Sequence, residues 1–351
     1  MAKTTFSTSD ALTKKAWEEK LFRDSVKESY FSRFMSEKGD TLVHTQTELE
    51  GEKGDKITIG IRMRLTGAGV TSGTALVGNE ERLTTYNCST TLEQYRHAVR
   101  DDGAMSRQRA MFSITEESEM ALRDWQAEKI DKLCFDELGI GSGASADPSK
   151  IFYIDGTATG TFKATGTAAT AKSALRTATY PGTLSLDFIS FIKTWAKTGG
   201  NRAYVPLRPV KVGAKPYYVL LCHPDALYNL RISSEFKQAM REAELRGSEN
   251  PLFMGSTAIW DGVVIHEHEN CAVGTDGGAG AEPWTKAVFM GAECLCWAWG
   301  ERPEIVEEEF DYGNEIGHAT NMIAGVKKTI FNSLDYGSLG VYLVRTNVSG
   351  Q

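Results

Sequence analysis

The feature that most constrains this chain is a two-stranded ribbon with no core of its own, followed by one long capped helix. In Lys56-Ile57-Thr58-Ile59-Gly60-Ile61-Arg62-Met63-Arg64-Leu65 every second residue is apolar, the period of a strand that buries one face. Gly67, Gly69, Gly73, Gly78 and Asn79 break the pattern until Tyr86–Leu92 resumes it, which predicts a hairpin with a long Gly-rich tip. A two-stranded ribbon is marginal alone in water. The row Ile57, Ile59, Ile61, Met63 and Leu65 therefore needs a surface, supplied by the rest of the chain or by a neighbouring copy.

The helix after it opens on a capping box, Ser113-Ile114-Thr115-Glu116, in which the Ser113 hydroxyl accepts from the Glu116 amide and the carboxylate reaches back. Leu122, Trp125, Ile130, Leu133, Cys134 and Leu138 give an apolar stripe, and Gly139, Gly141 and Gly143 stop it. The predicted element, Ser113 to Leu138, is roughly 35–40 Å long. A rod of that length organises an extended molecule or a bundle.

The 351 residues suffice for two or three domains. With 41% hydrophobic and 24% charged residues the composition is that of an ordinary globular protein. No run approaches 18 apolar residues, and Met1–Ser7 lacks the apolar segment of a signal peptide, so the expectation is a protein kept in a cytoplasm, with no membrane partner. Six irregularly spaced cysteines fit free thiols better than a disulfide framework. A net charge of -7 without a long basic run argues against tight, sequence-specific nucleic-acid binding. A mildly acidic shell suits a container that encloses nucleic acid without adhering to it.

Residues Ser9 to Met35 carry a helical stripe that either packs on the body of the chain or docks, as an arm, on a neighbour. After the long helix the low-complexity sequence from Gly141 to Thr170 is expected to build no core and to form an exposed loop or a short surface ribbon around Ile151–Ile154. From Thr183 the pattern alternates again. Leu184–Ala196 and Pro224–Ile232 are predicted helices, Phe236–Leu245 an exposed one, and Tyr217–Cys222 a buried strand. Trp260–His266 and Ala287–Met290 are predicted strands around a flexible loop, 274–280. Ile305–Phe310, Ile323–Phe331 and Leu339–Arg345 read as closing strands.

Candidate chemistry is sparse. His266 and His268 are two apart on a predicted strand and so face one side, with Cys271, Cys294 and Cys296 in the sequence to complete a metal site. The spacing matches no usual zinc pattern, and a polar strand end is the plainer reading; a metal-binding enzyme using these histidines is the rival of a different class. Gly139–Gly143 follows a helix instead of preceding one, so it is not a phosphate loop. Glu307, Glu308 and Glu309 read as a solvated face. No nucleophile elbow is present. No catalytic residue, cofactor or metal is assigned, and the chain is not read as an enzyme.

The order of these elements, with Gly54–Ile59, Leu65–Val70, Gly78–Glu81, Gly103–Arg109, Asn250–Phe253, Asp261–Ile265 and Ala324–Lys328, resembles the major capsid proteins of tailed bacteriophages. More narrowly it resembles the family named after the capsid protein of the enterobacterial phage N-four. The resemblance implies an α+β chain with the Hong Kong 97-type fold: N-terminal arm (1–48), extended loop and return (49–110), spine helix and peripheral domain with the Thr/Ala/Gly-rich loop (111–182), axial domain (183–300) and return strands of the peripheral domain (301–351). Ser113, Glu116, Leu122, Trp125, Ile130 and Leu133 would mark the spine helix. Ile57, Ile59, Ile61, Met63 and Leu65 of the loop, with Trp17 and Leu21 of the arm, would bind neighbouring subunits.

The function implied is a shell of hexamers and pentamers around phage double-stranded DNA, found in the virion and assembled in the host cytoplasm. The implied partners are further copies of the chain, a scaffolding protein (expected because no long charged pro-segment opens the sequence), a portal, a decoration or cement protein in some relatives, and DNA held non-specifically. An encapsulin-like nanocompartment shell of the same fold is the nearest alternative.

Overall fold

A computed structural model describes residues 29–37, 39–63, 65, 67–110, 112–144, 146–156, 160–175, 182–202, 206–212, 215–242, 256–278 and 282–345. The predicted N-terminal helix, with Trp17 and Leu21, lies outside the described residues up to residue 28. The described residues form two compact units, one within 95–128 and 303–321 and the other within 29–94, 129–302 and 322–345.

The larger unit is built on a mixed sheet in the order Ser256–Trp260, Val263–Glu267, Lys215–Cys222, Glu282–Met290, Ser338–Val344, Ile151–Ile154, Phe162–Thr165. Its inner strands are apolar in continuous runs because both faces are covered. Tyr218, Leu220 and Cys222 face a core completed by Phe188, Ile189 and Ile192 of helix Leu186–Arg202 and by Leu227 and Leu230 of helix Pro224–Ile232. Val219 and Leu221 face the other way, onto Phe31, Phe34, Phe135 and Leu138. The last two belong to the C-terminal half of the long helix, Ile114–Glu137 and its exit.

A carboxylate in that helix fixes how the chain enters this unit. Asp131, 4% exposed, accepts hydrogen bonds from the amides of Tyr30 at 2.7 Å and Phe31 at 3.1 Å and from the Ser29 hydroxyl at 2.9 Å. These are the otherwise unpaired donors at the start of the short 3-10 turn Phe31–Phe34. The helix ends as expected: Gly139 takes φ of 78°, and the amides of Ile140 and Gly141 return to the Phe135 carbonyl.

Several expectations are corrected. Ile151–Ile154 is no surface ribbon but a fully buried strand, parallel to Ser338–Val344. The Thr/Ala/Gly-rich stretch does contribute core: helix Ala168–Ala174 brings Ala171, with Leu175, against Trp284 and Tyr342, since alanines let a helix approach closely. Trp260–His266 is two strands joined by Asp261 and Gly262, both left-handed at φ 47° and 73°, the geometry of a two-residue hairpin. Part of the supposed loop 274–280 is the strand Val273–Gly277. Phe236, in helix Ser234–Glu242, is buried. Ser338–Val344, buried at every residue, pairs with Glu282–Met290 within this sheet.

In the smaller unit Asp101 is the organising group. Its carboxylate accepts from the Ile316 amide at 2.7 Å and the Gly103 amide at 3.3 Å, and pairs with Arg107 of helix Ala104–Arg109. His97, in strand Glu93–Arg100, lies 4.9 Å from Trp125, ring to ring, bringing that part of the strand onto the first half of the long helix, where Leu122 is 1% exposed. Ser113 caps that helix, its hydroxyl accepting from the Glu116 amide at 3.3 Å.

Two predictions follow from these carboxylates. Asp131→Ala leaves two buried amides without acceptors and is expected to cost about 2–4 kcal/mol, read as a lower melting temperature of the unassembled protein; an unchanged melting temperature would remove Asp131 from this role. For Asp101, burial opposes ionisation, but the Ile316 amide and Arg107 outweigh it and hold the carboxyl below its usual range. A depressed folded value contributes stability that is present above about pH 4 and lost as pH falls through that lowered value. Amides of 95–100 are therefore expected to lose protection at pH 3 relative to pH 6, and Asp101→Asn to abolish the difference.

Candidate assembly surface

The ribbon forms as predicted. Lys56–Arg62 pairs antiparallel with Thr85–Thr91, setting Ile57 opposite Thr90, Ile59 opposite Cys88 and Ile61 opposite Tyr86. Because side chains alternate, these six share one face. Its burial is graded along the arm. At the root Ile57 is 4% exposed, and Cys88 and Thr90 are as well covered; Ile59, Ile61 and Met63 are half-buried, and Leu65 is exposed.

The root rests on its own chain. Strand Thr85–Thr91 runs beside Ile330–Phe331, the Cys88 thiol points to the Lys328 carbonyl at 3.7 Å, and the Tyr336 hydroxyl donates to the Met63 sulfur at 3.3 Å. A Cβ on Gly325 would meet the Thr91 carbonyl oxygen at 2.3 Å, so only glycine allows that crossing. Arg302 clamps Glu50 through two nitrogens at 2.6 and 3.2 Å. The apolar row thus finds its surface at one end within the subunit, and the open apolar surface is at the other end.

That open surface is the tip, residues 63–84. Leu65, Leu76, Val77 and Leu83 are 57%, 62%, 86% and 54% exposed. The tip is nevertheless organised by backbone contacts: Gly67 donates to Glu81 at 2.6 Å, Gly78 to Glu80 at 2.7 Å, and Met63 to the Thr84 carbonyl at 2.9 Å. Burying one such Leu or Val side chain is worth about 1.5–3 kcal/mol before ordering costs. Leu76, Val77 and Leu83 were not among the predicted contacts. Their signal was present: an apolar pair in a Gly-rich segment that has no core to join.

Next to the strand Ile330–Phe331 that borders the root is a buried ionic network. Lys328 and Asp335, with side chains 6% and 2% exposed, approach to 3.5 Å. Lys328 also donates to the Asp147 carbonyl at 3.3 Å, while Asp335 accepts from the Ser149 amide at 2.5 Å and its own amide donates to the Ser149 hydroxyl at 3.0 Å. The Asp147 carboxylate takes Lys286 at 2.8 Å and the Tyr342 hydroxyl at 3.0 Å. Glu137, at the end of the long helix, accepts from the Lys328 amide at 3.2 Å and pairs with Lys327 at 2.8 Å.

The alternative metal residues are occupied otherwise. His266 is 1% exposed and lies edge-on to Tyr30 and Phe34; His268 packs on Tyr30 and Phe135, with its Nδ1 accepting from the Asn270 amide at 3.1 Å. Burial raises the thiols, Cys294 to about 12 and Cys296 to about 11, which disfavours the thiolate a metal needs. Among the described residues no three His, Cys, Asp or Glu side chains are grouped to hold an ion, and no helix is long and apolar enough to cross a membrane. Glu307, Glu308 and Glu309 are exposed. Gly139–Gly143 serves as helix exit, Gly143 donating to Asp136 at 3.0 Å.

Residues 5–347 match the phage capsid protein family. The major capsid protein of Pseudomonas phage KPP25 is 28% identical over 361 residues, spanning 94% of either chain. Among solved structures, the capsid of Ralstonia phage GP4 superposes with a TM-score of 0.82 at 26% identity over the whole of both chains. The capsid of cyanophage Pam1 gives 0.74 at 21% identity, covering 99% of this chain and 100% of that one. The capsid of Helicobacter pylori bacteriophage KHP30 gives 0.70 at 14% identity over 94% of each; at these lower identities the likeness is one of fold. With its mixed helices and sheets in the order of a Hong Kong 97-type capsid subunit, this chain belongs to the phage capsid protein family and is a major capsid protein.

Proposed function

We propose that the arm's tip is the contact by which each copy of this capsid protein holds the next, in rings of six and five that close into an icosahedral head. The observation that carries this is the apolar gradient along the arm: buried at Ile57, open at Leu65, Leu76, Val77 and Leu83. Four large apolar side chains held out on an ordered tip gain nothing in a lone subunit, and a repeated neighbour gives each of them cover. Such contacts are heterologous, and ring and shell closure limits their growth. Ile59, Ile61 and Met63 extend the same face towards the subunit, and the stripe with Trp17 and Leu21 is read as a second strap on a neighbour.

On this reading the head forms in the host cytoplasm and encloses double-stranded DNA. The net charge of -7 and the lack of a basic run support enclosure without tight adhesion to phosphates. A scaffolding protein guides closure, a portal occupies one vertex, and a decoration protein fits the outer surface.

The test is a charge on the tip. Val77→Asp combined with Leu76→Asp is expected to leave the melting temperature of the unassembled protein unchanged while abolishing shells in negative-stain electron microscopy; normal shells from the double variant would refute the placement. The scaffold is tested separately. The protein expressed alone is expected to give few or irregular shells, and uniform shells of head size without any partner would remove the scaffold and favour a self-assembling nanocompartment.

A further inference from the structure

The root of the arm runs beside a small hairpin that is bonded to its surroundings on several sides. Ile330 and Phe331 pair with Asp335 and Leu334 around a two-residue turn, Asn332 and Ser333, both in the left-handed region at φ 52° and 62°. This is the tightest hairpin a chain makes, with a twist that matches its strands. It is held from below by the buried Lys328–Asp335 pair and by the reciprocal bonds between Asp335 and Ser149. It is tied at its ends by the Thr329 amide donating to the Cys294 carbonyl at 3.1 Å and the Tyr336 amide to the Thr329 carbonyl at 3.0 Å. Phe331 is 3% exposed.

Tyr336 is the side chain through which this hairpin meets the arm. Its ring sits edge-on to Phe331 at 5.2 Å, and its hydroxyl reaches Met63, the residue at which the paired strand Lys56–Arg62 gives way to the tip. Burial, with Tyr86 of the opposite arm strand as a second influence, holds the phenol above its ordinary value, so it stays a neutral donor in physiological conditions. Contacts of this kind are individually weak. Their position matters more than their strength, because a small rotation where the paired strands end is multiplied along the 22 residues from 63 to 84 that make up the tip.

We propose that the hairpin Ile330–Asp335 and Tyr336 form a shelf that sets the angle at which the arm leaves its subunit, and with it the curvature of the shell, Tyr336 being the positioning residue. This rests on the reading of the tip as the contact between copies. A constrained departure angle narrows the positions each tip takes relative to its own subunit, so copies in rings of six and of five meet their neighbours within a small range of inclinations. A loosened shelf leaves the tip's chemistry intact and lets that inclination vary.

The test uses full-length protein as wild type, Tyr336→Ala and Tyr336→Phe. Hydrogen exchange on unassembled protein is expected to show amides of Ile57–Ile61 and Tyr86–Thr90 exchanging about tenfold faster in Tyr336→Ala, with Tyr218–Cys222 unchanged. Tyr336→Phe keeps the ring and is expected to stay within about twofold of wild type at the same amides. In assembly followed by electron microscopy, Tyr336→Ala is expected to give shells of mixed diameter or open sheets, and Tyr336→Phe to restore uniform ones. Unchanged exchange in the arm of Tyr336→Ala would overturn the shelf. Faster exchange with shells of wild-type size and uniformity would overturn its control of curvature. Failure of the tip variants Leu76→Asp and Val77→Asp to disturb shells would instead count against the reading on which the shelf rests, so the two failures are told apart.

Discussion

The buried ion pair of Lys328 and Asp335 is the interaction on which the working end of this subunit depends. Two charges taken out of water are costly unless every remaining donor and acceptor is satisfied. Here they are supplied by Asp147, Ser149 and the peptide groups around them. Around the pair the same network brings together the end of the long helix, where Glu137 accepts from the Lys328 amide, the loop carrying Asp147 and Ser149, and the strands whose Lys286 and Tyr342 meet the Asp147 carboxylate. On that foundation stands the hairpin that carries the root of the arm.

The arm shows why such a foundation is required. A two-stranded ribbon gains too little from its own hydrogen bonds and cross-strand pairs to hold a direction in water. Its direction comes from what the root is bolted to: the shelf on one face, the close crossing at Gly325, and the Arg302–Glu50 clamp. With the root fixed in this way, a tip rich in glycine keeps large apolar side chains exposed without joining the core. The chain thereby divides into a body stabilised by two-sided burial and an arm whose apolar tip stays uncovered.

Much of this was legible in residues. The alternation over Lys56–Arg62, the side-chain cap of Ser113 on the Glu116 amide and the glycine exit at 139 each report a local rule that the structure obeys. The places where sequence reading failed share a cause. Ile151–Ile154 and Ala168–Ala174 sit in small-residue sequence whose composition suggests a surface loop, yet they are covered because Trp284 and Tyr342 arrive from distant parts of the chain. Asp261-Gly262 carried a hairpin signal that a continuous apolar reading of Trp260–His266 overrode. Asp131 and Asp335 look like ordinary surface charges until their partners, about 100 and 186 residues away, are seen.

By itself, then, the sequence determined the elements and the family: a ribbon, a long helix, alternating strands and helices, and the order in which a capsid subunit uses them. Local periodicity, caps and turn residues act over a few positions, and those can be read along the chain. Only the tertiary structure decided which end of the apolar row is covered, which hairpin supports the arm, and that Ser338–Val344 lies within the central sheet. These depend on which surfaces meet after the chain has closed, and burial and buried charge pairing are properties of that meeting.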